Sequence, residues 1–349
     1  MTARSGILAA GTLLVDHVQR ITHWPDQGWL TEIVARERCS GGAVPNVLLT
    51  LARMQSGLPL AAAGITGEDA DGDYLLQRLR EEGVDCRGVT RTRAAATAMT
   101  QVMTAPDGQR TFFHARGASA LLDVAHFRDL TTPHRIFHLG YLLLLDQLDR
   151  PDAQFGTRSA RLLAQMQQRG YLTSLDLVSR AGDHRSLVLP ALRWLDYLII
   201  NELEAAALTG IPLRHGAGLA SPETFAAAGA WLLQQGVRQR VVIHAPEGAW
   251  GTERGGEEAC WQPAWRLNAS DIVGSVGAGD AFCAGVLYAS HEGFTLSATL
   301  QLAHTCACFN LRAANALDGI RPLPEMQRWM DQAICDTRAA GRTTSAENT

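Results

Sequence analysis

Residues 276–285, Val-Gly-Ala-Gly-Asp-Ala-Phe-Cys-Ala-Gly, combine an anion-binding type of turn with a single carboxylate. Gly277 and Gly279 flank Ala278. Asp280 follows at once, ahead of an apolar run that is typical of a helix. Free N–H groups at a helix N-terminus, together with the helix dipole, attract an anion. A carboxylate beside such a site can accept the proton of a hydroxyl that attacks a phosphoryl group.

The same segment also fits an ordinary turn in which Asp280 caps the following helix. A Walker-type phosphate loop is excluded because no Gly-Lys-Ser/Thr follows the glycines. A dinucleotide-binding fingerprint is disfavoured because a preceding strand and an acidic partner at the expected distance are missing. This segment alone leaves the anion site and the capped turn both open.

The composition is that of a folded, weakly acidic protein. Of the 349 residues, 46% are hydrophobic and 19% are charged, which allows a sizeable core and argues against global disorder. A formal net charge of −4 argues against a general nucleic-acid or acidic-membrane binder. The seven scattered cysteines favour buried reduced thiols over disulfides or a metal motif. Neither a signal peptide nor a transmembrane run is recognisable, so a cytoplasmic location is expected.

Strands and helices alternate through most of the chain, which predicts a mostly parallel sheet covered on both faces. Strands are predicted at 7–15, 58–65, 135–139, 171–177, 194–200 and 239–244. Helices are predicted at 46–54, 72–82, 159–169, 202–208 and 222–235.

Two segments fall outside this alternation and predict a small β lid. Residues 95–116 contain two alternating runs around Ala105-Pro106-Asp107-Gly108, a strong hairpin signal. Residues 17–39 are more polar than a core segment. We therefore expect one domain over residues 1–337, with a lid from 17–39 and 95–116, and a disordered tail over 338–349.

Four motifs occur in an order that resembles the ribokinase family of sugar kinases, of the phosphofructokinase-B type. They are Gly41-Gly42-Ala43-Val44-Pro45-Asn46, the turn 63–72, Asn201-Glu202-Leu203-Glu204 and Gly277-Ala278-Gly279-Asp280. The resemblance runs from about residue 6 to 325, and four ordered motifs are far more specific than one. It implies a ribokinase-like, doubly wound α/β fold with a β lid. It also implies ATP- and Mg²⁺-dependent phosphorylation of a hydroxyl, often a primary one, of a sugar or nucleoside.

The resemblance gives the opening motif a catalytic role. Asp280 would be the general base, and the amides of Gly277, Ala278 and Gly279 would stabilise the transferring phosphoryl group. Family members often dimerise through the lid, and pairing would cover exposed lid edges. A homodimer is therefore expected.

Four residues would bind the sugar. Asp16 follows the first strand, where its carboxylate can accept hydrogen bonds from two adjacent hydroxyls. Gly41 and Gly42 allow the backbone to approach a ligand closely, and Asn46 can both donate and accept. Taken alone, Asp16 also fits a solvated turn, and the other three fit a loop with a helix cap.

By the same resemblance, Asn201, His244, Gly248 and His304 would contact the nucleotide. Glu204 would act on Mg²⁺ through water, since this ion dehydrates reluctantly. Asn201 and Glu204 also fit a capped helix with an acidic first turn, and His304 also fits a core histidine.

Some positions depart from the family pattern. Residues 274–276 read Gly-Ser-Val where Asp-Thr-Thr is common, so potassium activation is not expected to carry over. Pro246 replaces a usual glycine in the nucleotide loop, and Val178 replaces a frequent asparagine. Arg116 and Arg180 resemble a pair in 2-keto-3-deoxygluconate kinases, where an arginine fork suits a carboxylate. Exposed arginines on a lid or loop are the alternative.

A neutral pentose or hexose is the preferred substrate, ahead of a sugar acid and a nucleoside. Two other classes stay open: a non-catalytic sugar sensor on the same fold, and a dinucleotide-dependent oxidoreductase. The intact motif at 277–280 argues against the sensor, because a protein that had lost catalysis would be expected to lose the base, Asp280, first.

Overall fold

A computed structural model describes residues 4–180, 182–255 and 259–346 of the chain. Its strands, in chain order, are β1 Ile7–Gly11, β2 Leu14–Ile21, β3 Ile33–Gly41, β4 Leu60–Gly67, β5 Asp85–Thr92, β6 Ala98–Thr104, β7 Arg110–Ala115, β8 Ile136–Leu142, β9 Pro151–Asp152, β10 Gly156–Thr157, β11 Leu172–Leu177, β12 Tyr197–Asn201, β13 Arg214–His215, β14 Gly218–Leu219, β15 Arg240–Ala245, β16 Gly248–Glu253 and β17 Ala259–Pro263. Its α-helices are α1 Ala43–Arg53, α2 Ala70–Glu81, α3 Arg158–Gln168, α4 Arg185–Leu192, α5 Glu202–Thr209, α6 Pro222–Gln234, α7 Ala278–Glu292, α8 Leu296–Asn310 and α9 Leu323–Ala346.

Nine of the described strands form one sheet in the order β17-β16-β15-β12-β11-β8-β1-β4-β5. The strands from β15 to β5 run parallel. Strands β16 and β17 extend one edge as antiparallel strands. This topology confirms the predicted doubly wound, mostly parallel α/β sheet, whereas the antiparallel edge is a feature that the alternating pattern does not predict.

The predicted strand 7–15 is divided between two sheets. β1 ends at Gly11, and β2 begins at Leu14 in a different sheet. Gly11 has φ +130°, a conformation that L side chains rarely adopt. A Cβ at Gly11 would also collide with the carbonyl of Gly140 on β8. The glycine therefore lets the chain leave the main sheet at this point. Because the residues on both sides of the break are apolar, the sequence pattern predicts a single strand.

A separate four-stranded sheet has the order β3-β2-β6-β7. β2 pairs antiparallel with β3 and parallel with β6, and β6 pairs antiparallel with β7. These strands overlap the segments 17–39 and 95–116 that the sequence predicts as the lid, and we call this sheet the lid sheet. Most side chains of β3 and β7, its two edge strands, are exposed.

Apolar side chains cover both faces of the main sheet. On one face, Leu48 of α1, Leu287 of α7 and Leu300 of α8 belong to one fully buried cluster. On the other face, Leu162 of α3 and Phe225 of α6 belong to a second cluster. Burial of each such side chain contributes about 1.5–3 kcal/mol, so the helices on both faces are held firmly against the sheet.

The last helix continues past the predicted domain end. The backbone of α9 is helical to Ala346, whereas a tail is predicted from residue 338. Ala339 and Ala340 are strong helix formers, and extending an existing helix costs less than starting a new one. Residues 347–349 of the predicted tail lie outside the described residues.

Gly285 lies where α7 packs against α8. A Cβ added to Gly285 would lie 2.7 Å from Cα of Ala303 and 3.0 Å from Sγ of Cys306. Real Cβ atoms essentially never approach a backbone atom so closely, so the helices have to separate if this glycine is replaced.

Gly285→Ala is therefore expected to lower the free energy of unfolding by about 1–3 kcal/mol, as overpacking typically does. This loss would occur although alanine favours an isolated helix by about 1 kcal/mol. Denaturant unfolding measures the change. Gly218→Ala is the control, because the nearest atom to its added Cβ would be 3.7 Å away. Equal stability of both variants would contradict the tight helix contact.

Candidate active site

A cavity of about 220 Å³ opens where the parallel strands of the main sheet end. It lies at the carboxyl ends of β8, β11, β12 and β15 and faces the N-terminus of α7. In open α/β sheets this edge is the usual place for ligands. The cavity lining includes Tyr141, Asp176, Asn201, Glu204, His244 and Asp280.

Asp280 is held by one hydrogen bond to each carboxylate oxygen. The Asn46 side chain on α1 donates from Nδ2 to Oδ2 at 2.8 Å. The Tyr141 hydroxyl on β8 donates to Oδ1 at 2.6 Å. Burial raises the pKa of Asp280 to about 6, with a further contribution from the charge of Asp176. The two hydrogen bonds lower that pKa, because they stabilise the ionised form. Asp280 is thus a buried, oriented base whose pKa lies close to neutrality.

The turn before Asp280 has the geometry that the sequence predicts. Gly277 caps α7 with φ +76°, and its carbonyl accepts from the Ala281 N–H at 2.8 Å. A side chain at Gly277 would collide with Ala316. The first N–H groups of α7 have no acceptor within the helix, although the Ala278 N–H donates to the Ser275 carbonyl at 3.4 Å. That bond is at the long limit for an amide, so the N-terminus of α7 can receive an anion at small cost.

The predicted sugar residues converge on Asp280. Asp16 lies on β2, and a Cβ on Gly41 would collide with its carboxylate, so the two are in contact. Burial raises the pKa of Asp16 to about 7; a hydrogen bond with Thr100 lowers it, and the charge of Asp280 raises it. Gly42 starts α1, whose Asn46 reaches Asp280.

Asn46 keeps one polar atom free. Its Nδ2 donates to Asp280, while its Oδ1 is buried and has no hydrogen-bond partner in the part of the chain that the structure describes. A buried acceptor without a partner costs free energy. Because the carboxylate of Asp280 can only accept, the amide orientation of Asn46 is fixed by the contact. The contact with Asp280 therefore leaves Oδ1 as the unpaired acceptor of this amide.

Asn201 and Glu204 form a capping box at the start of α5. Asn201 Oδ1 accepts from the backbone N–H groups of Leu203 and Glu204. Glu204 accepts from the Asn201 N–H at 3.0 Å and from the Ser179 hydroxyl at 2.9 Å. Burial raises the pKa of Glu204 to about 7, opposed by these two hydrogen bonds. The capping alternative thus describes what both side chains do here.

The cavity nonetheless offers ligands that suit Mg²⁺. Glu204, Ser179 and Asp280 all contribute oxygen atoms to its lining, and Mg²⁺ prefers oxygen ligands while retaining several waters. A nearby cation would stabilise the ionised form of Glu204, which burial disfavours. The residues present therefore fit this ion.

The two histidines occupy different places. His244 lines the cavity and lies next to Gly279, while Phe282 stands between the rings of His244 and His304, at centroid distances of 4.8 and 5.1 Å. Burial lowers the pKa of both histidines to about 4, so both are neutral near pH 7. His304 is buried and faces the Gln262 carbonyl at 3.2 Å, as a core histidine would.

Gly248 begins β16 directly after the two-residue turn Pro246-Glu247. A side chain at Gly248 would collide with the ring of Trp261. Glu247 in the turn forms an ion pair with Arg214 at 2.8 Å. The predicted nucleotide loop is therefore a tight, tethered hairpin.

Arg116 and Arg180 both have acidic neighbours. Arg116 forms an ion pair with Asp146. Burial raises the pKa of Asp149, and the charges of Arg180 and Arg116 both lower it. Both arginines therefore lie near Asp149, and Arg116 is already paired with an aspartate.

Tyr141 and Asp176 are functional candidates that the sequence motifs miss. Each lies at the carboxyl end of a parallel strand, β8 and β11 respectively. Polar residues at that position of an α/β sheet are ligand-binding candidates, and this signal is readable from the alternation alone. Tyr141 lies outside the four family motifs, in a segment whose other residues are mostly apolar.

Comparisons with known proteins identify the family of this chain. The model for pfkB family carbohydrate kinases matches residues 12–321, and the chain belongs to this family. This confirms the predicted family. Within the described residues, no helix combines the length and apolar character needed to cross a membrane.

Individual relatives are distant. Fructokinase-1 of Oryza sativa subsp. japonica is 30% identical over 60% of this chain and 65% of its own length, so the chain spans less than two thirds of this relative. The 2-dehydro-3-deoxygluconokinase of Bacillus subtilis is 24% identical over 84% of this chain and 87% of its own. The solved structure of Arabidopsis thaliana ribokinase complexed with ribose and ATP has a TM-score of 0.75 at 22% identity, and covers 94% of this chain and 99% of that one. This likeness shows the fold.

Tyr141→Phe should raise the pKa of Asp280 above about 6, because the variant removes a hydrogen bond that stabilises the ionised carboxylate. A ¹³C NMR titration of aspartate carboxyl carbons measures the change, with Asp280→Asn assigning the signal. Tyr74→Phe is the control, since its hydroxyl donates to the Arg38 carbonyl instead. An unchanged or lower pKa in Tyr141→Phe would show that this contact does not hold the carboxylate.

Proposed function

We propose that this protein transfers the γ-phosphoryl group of ATP to a hydroxyl, and specifically a primary hydroxyl, of a small neutral sugar. The observation that carries the proposal is the position of Asp280, a buried and oriented carboxylate at the N-terminus of α7, where the first N–H groups lack acceptors within the helix. A base next to an anion site is what an attacking hydroxyl and a transferring phosphoryl group require.

The sugar would lie between the lid sheet and α1. Asp16 would accept hydrogen bonds from two hydroxyls, and these bonds would stabilise its ionised form against the burial that raises its pKa. The free Oδ1 of Asn46 would accept from a hydroxyl next to the reacting one. Asp280 would take the proton of the attacking hydroxyl as the bond to phosphorus forms.

The phosphoryl group would be stabilised by the backbone amides of Gly277, Ala278 and Gly279. Such preorganised donors lower the barrier most when charge spreads over the phosphoryl oxygens. Glu204 would hold Mg²⁺ through water, and the ion when bound neutralises charge on the phosphates. The ribokinase structure that carries ribose and ATP supports this pairing of ligands. The neutral His244 beside Gly279 would contact the nucleotide.

The region around Arg116 and Arg180 supports a neutral sugar over a sugar acid. Asp146 already forms an ion pair with Arg116, and Asp149 lies within electrostatic range of both guanidinium groups, so a substrate carboxylate would compete with Asp146 for Arg116. The fructokinase relative agrees with a neutral sugar, whereas the 2-dehydro-3-deoxygluconokinase relative represents the competing class.

A coupled ADP-release screen tests the proposal directly. The panel contains neutral pentoses and hexoses, sugar acids, and nucleosides, each with and without potassium. The highest kcat/KM is expected for a neutral sugar, without potassium activation. Preference for a sugar acid or nucleoside would overturn the substrate assignment. Tight sugar binding with no turnover would favour a sensor, and reduced-nicotinamide binding would favour an oxidoreductase.

Asp280→Asn should reduce kcat by about 10²–10⁴-fold, the usual contribution of a positioned base, while sugar and ATP binding change little. In the unmodified protein, kcat/KM should fall below pH of about 6, because Asp280 must be ionised to accept a proton. Steady-state kinetics and calorimetry measure both effects. Asp271→Asn serves as control, since this carboxylate accepts a hydrogen bond from the Asn268 side chain at an exposed site. A kcat of Asp280→Asn near that of the control would contradict the assignment.

We also propose that two copies associate through their lid sheets. Most of the exposed large apolar side chains in the described part of the chain lie on this sheet or its connections: Trp24, Trp29, Leu30, Val34, Phe112 and Phe113. Trp29 is 77% exposed and Leu30 is 86% exposed, which is unfavourable unless a partner covers them. The uncovered edges of β3 and β7 would gain the same protection.

Replacing Trp29 and Leu30 together by glutamate should convert the dimer to a monomer, because charge would enter an apolar contact. Light scattering after size exclusion measures the mass. Val273→Glu is the control, as Val273 is 58% exposed and lies outside the lid sheet. A monomeric unmodified protein, or a double variant that stays dimeric, would contradict this interface.

A further inference from the structure

A histidine, an aspartate and a cysteine meet beneath the N-terminal half of α7. His138 on β8 and Asp176 on β11 project from the same face of the main sheet, because their chain neighbours Leu139, Leu175 and Leu177 all pack in the cluster on the opposite face. Cys283 on α7 faces them. All three are buried, with exposures of 0, 6 and 2%.

The distances among their ligand atoms suit a tetrahedral metal ion. His138 Nε2 lies 3.5 Å from Asp176 Oδ2 and 3.8 Å from Cys283 Sγ. The three ligand atoms all lie within 4.8 Å of one another. Bond lengths of about 2.0–2.3 Å around zinc place tetrahedral ligands about 3.3–3.8 Å apart. Small side-chain adjustments would therefore complete the site.

Two further observations point to a ligand. Oδ1 of Asp176 is buried and has no hydrogen-bond partner among the described residues, an arrangement that a bound cation would relieve. On the opposite side of the ring, His138 Nδ1 contacts the Ser174 hydroxyl at 3.1 Å. With Nδ1 as the donor, Nε2 keeps its lone pair toward Asp176 and Cys283, as outer hydrogen bonds do for metal-binding histidines.

We propose that His138 Nε2, the Asp176 carboxylate and the Cys283 thiolate bind a divalent cation of the Zn²⁺ class, and that this ion suppresses phosphoryl transfer at Asp280. Sulfur and imidazole nitrogen select zinc-like ions, whereas Mg²⁺ requires oxygen ligands. The ligand set therefore differs from the oxygen atoms around Glu204, although both groups border the same cavity. Asp176 and Cys283 both line the cavity, which gives the ion a path of entry.

Suppression, which rests on the proposed kinase function, follows from the position of Asp280 on the same helix. Asp280 precedes Cys283 by three residues, so both face the sheet from one side of α7. A divalent charge buried so close is poorly screened. It would stabilise the ionised carboxylate or bind it directly, and either effect weakens Asp280 as a proton acceptor.

Cobalt titration of the reduced, metal-free full chain tests the binding site without reference to activity. Co²⁺ replaces Zn²⁺ in such sites and gives a thiolate-to-metal charge-transfer band. One equivalent should produce this band, and Zn²⁺ should abolish it by displacement. Cys283→Ser should lose the band. Ser174→Ala should retain it but bind about 10–100-fold more weakly, the usual cost of losing an outer partner of a metal ligand.

Cys306→Ser is the matched control, because Cys306 is an equally buried thiol that contacts Met54 Sδ at 3.8 Å. Thermal unfolding checks that each variant is folded. Absence of the band in the unmodified protein, or its persistence in Cys283→Ser, would overturn the site. Unchanged affinity in Ser174→Ala would overturn the geometry assigned to His138.

A Zn²⁺ titration of ATP-dependent turnover then tests suppression, with each protein compared with its own metal-free rate. The unmodified protein should lose turnover over the concentration range in which the cobalt band is displaced, and Cys283→Ser should be at least 10-fold less sensitive. Binding without loss of turnover would overturn the suppressing role. A protein with a cobalt band and no kinase activity toward any substrate would instead show that the proposed function has failed.

Discussion

The pair of hydrogen bonds on Asp280 is the constraint around which the site is built. They join three elements that are far apart in the chain: α1 through Asn46, β8 through Tyr141, and α7 through Asp280 itself. Each element is fixed separately by apolar packing on the main sheet. Because both carboxylate oxygens are held in this way, the base has one orientation relative to the amides of the same helix, and positioning is the main requirement for phosphoryl transfer.

Local motifs were the predictable part of this molecule. The turn at 277–280 and the segment 41–46 can be read from the sequence because glycine conformation and helix capping depend on neighbouring residues. The alternation of strands and helices predicts the main sheet for the same reason. The break after Gly11 was missed because it depends on Gly140, a residue of another strand.

Long-range contacts were beyond sequence reasoning. Tyr141 and Asp280 are separated by 139 positions, and Cys283 and His138 by 145. Such pairs have no characteristic spacing, because they depend on which strands become neighbours and on which face each side chain projects. The same limit explains why Arg116 could be predicted as a carboxylate ligand while its partner Asp146 could not.

The entry into α1 has one further consequence. The edge strand β3 of the lid sheet ends at Gly41, and α1 begins at Ala43. Asn46, which touches Asp280, is therefore only five residues along the chain from that edge strand. A displacement of β3 would reach the base through a short covalent link rather than through a chain of contacts. If two copies join at their lid sheets, subunit association would also help to align Asp280. A dissociated chain would then have a lower rate of phosphoryl transfer as well as a weaker affinity for the sugar.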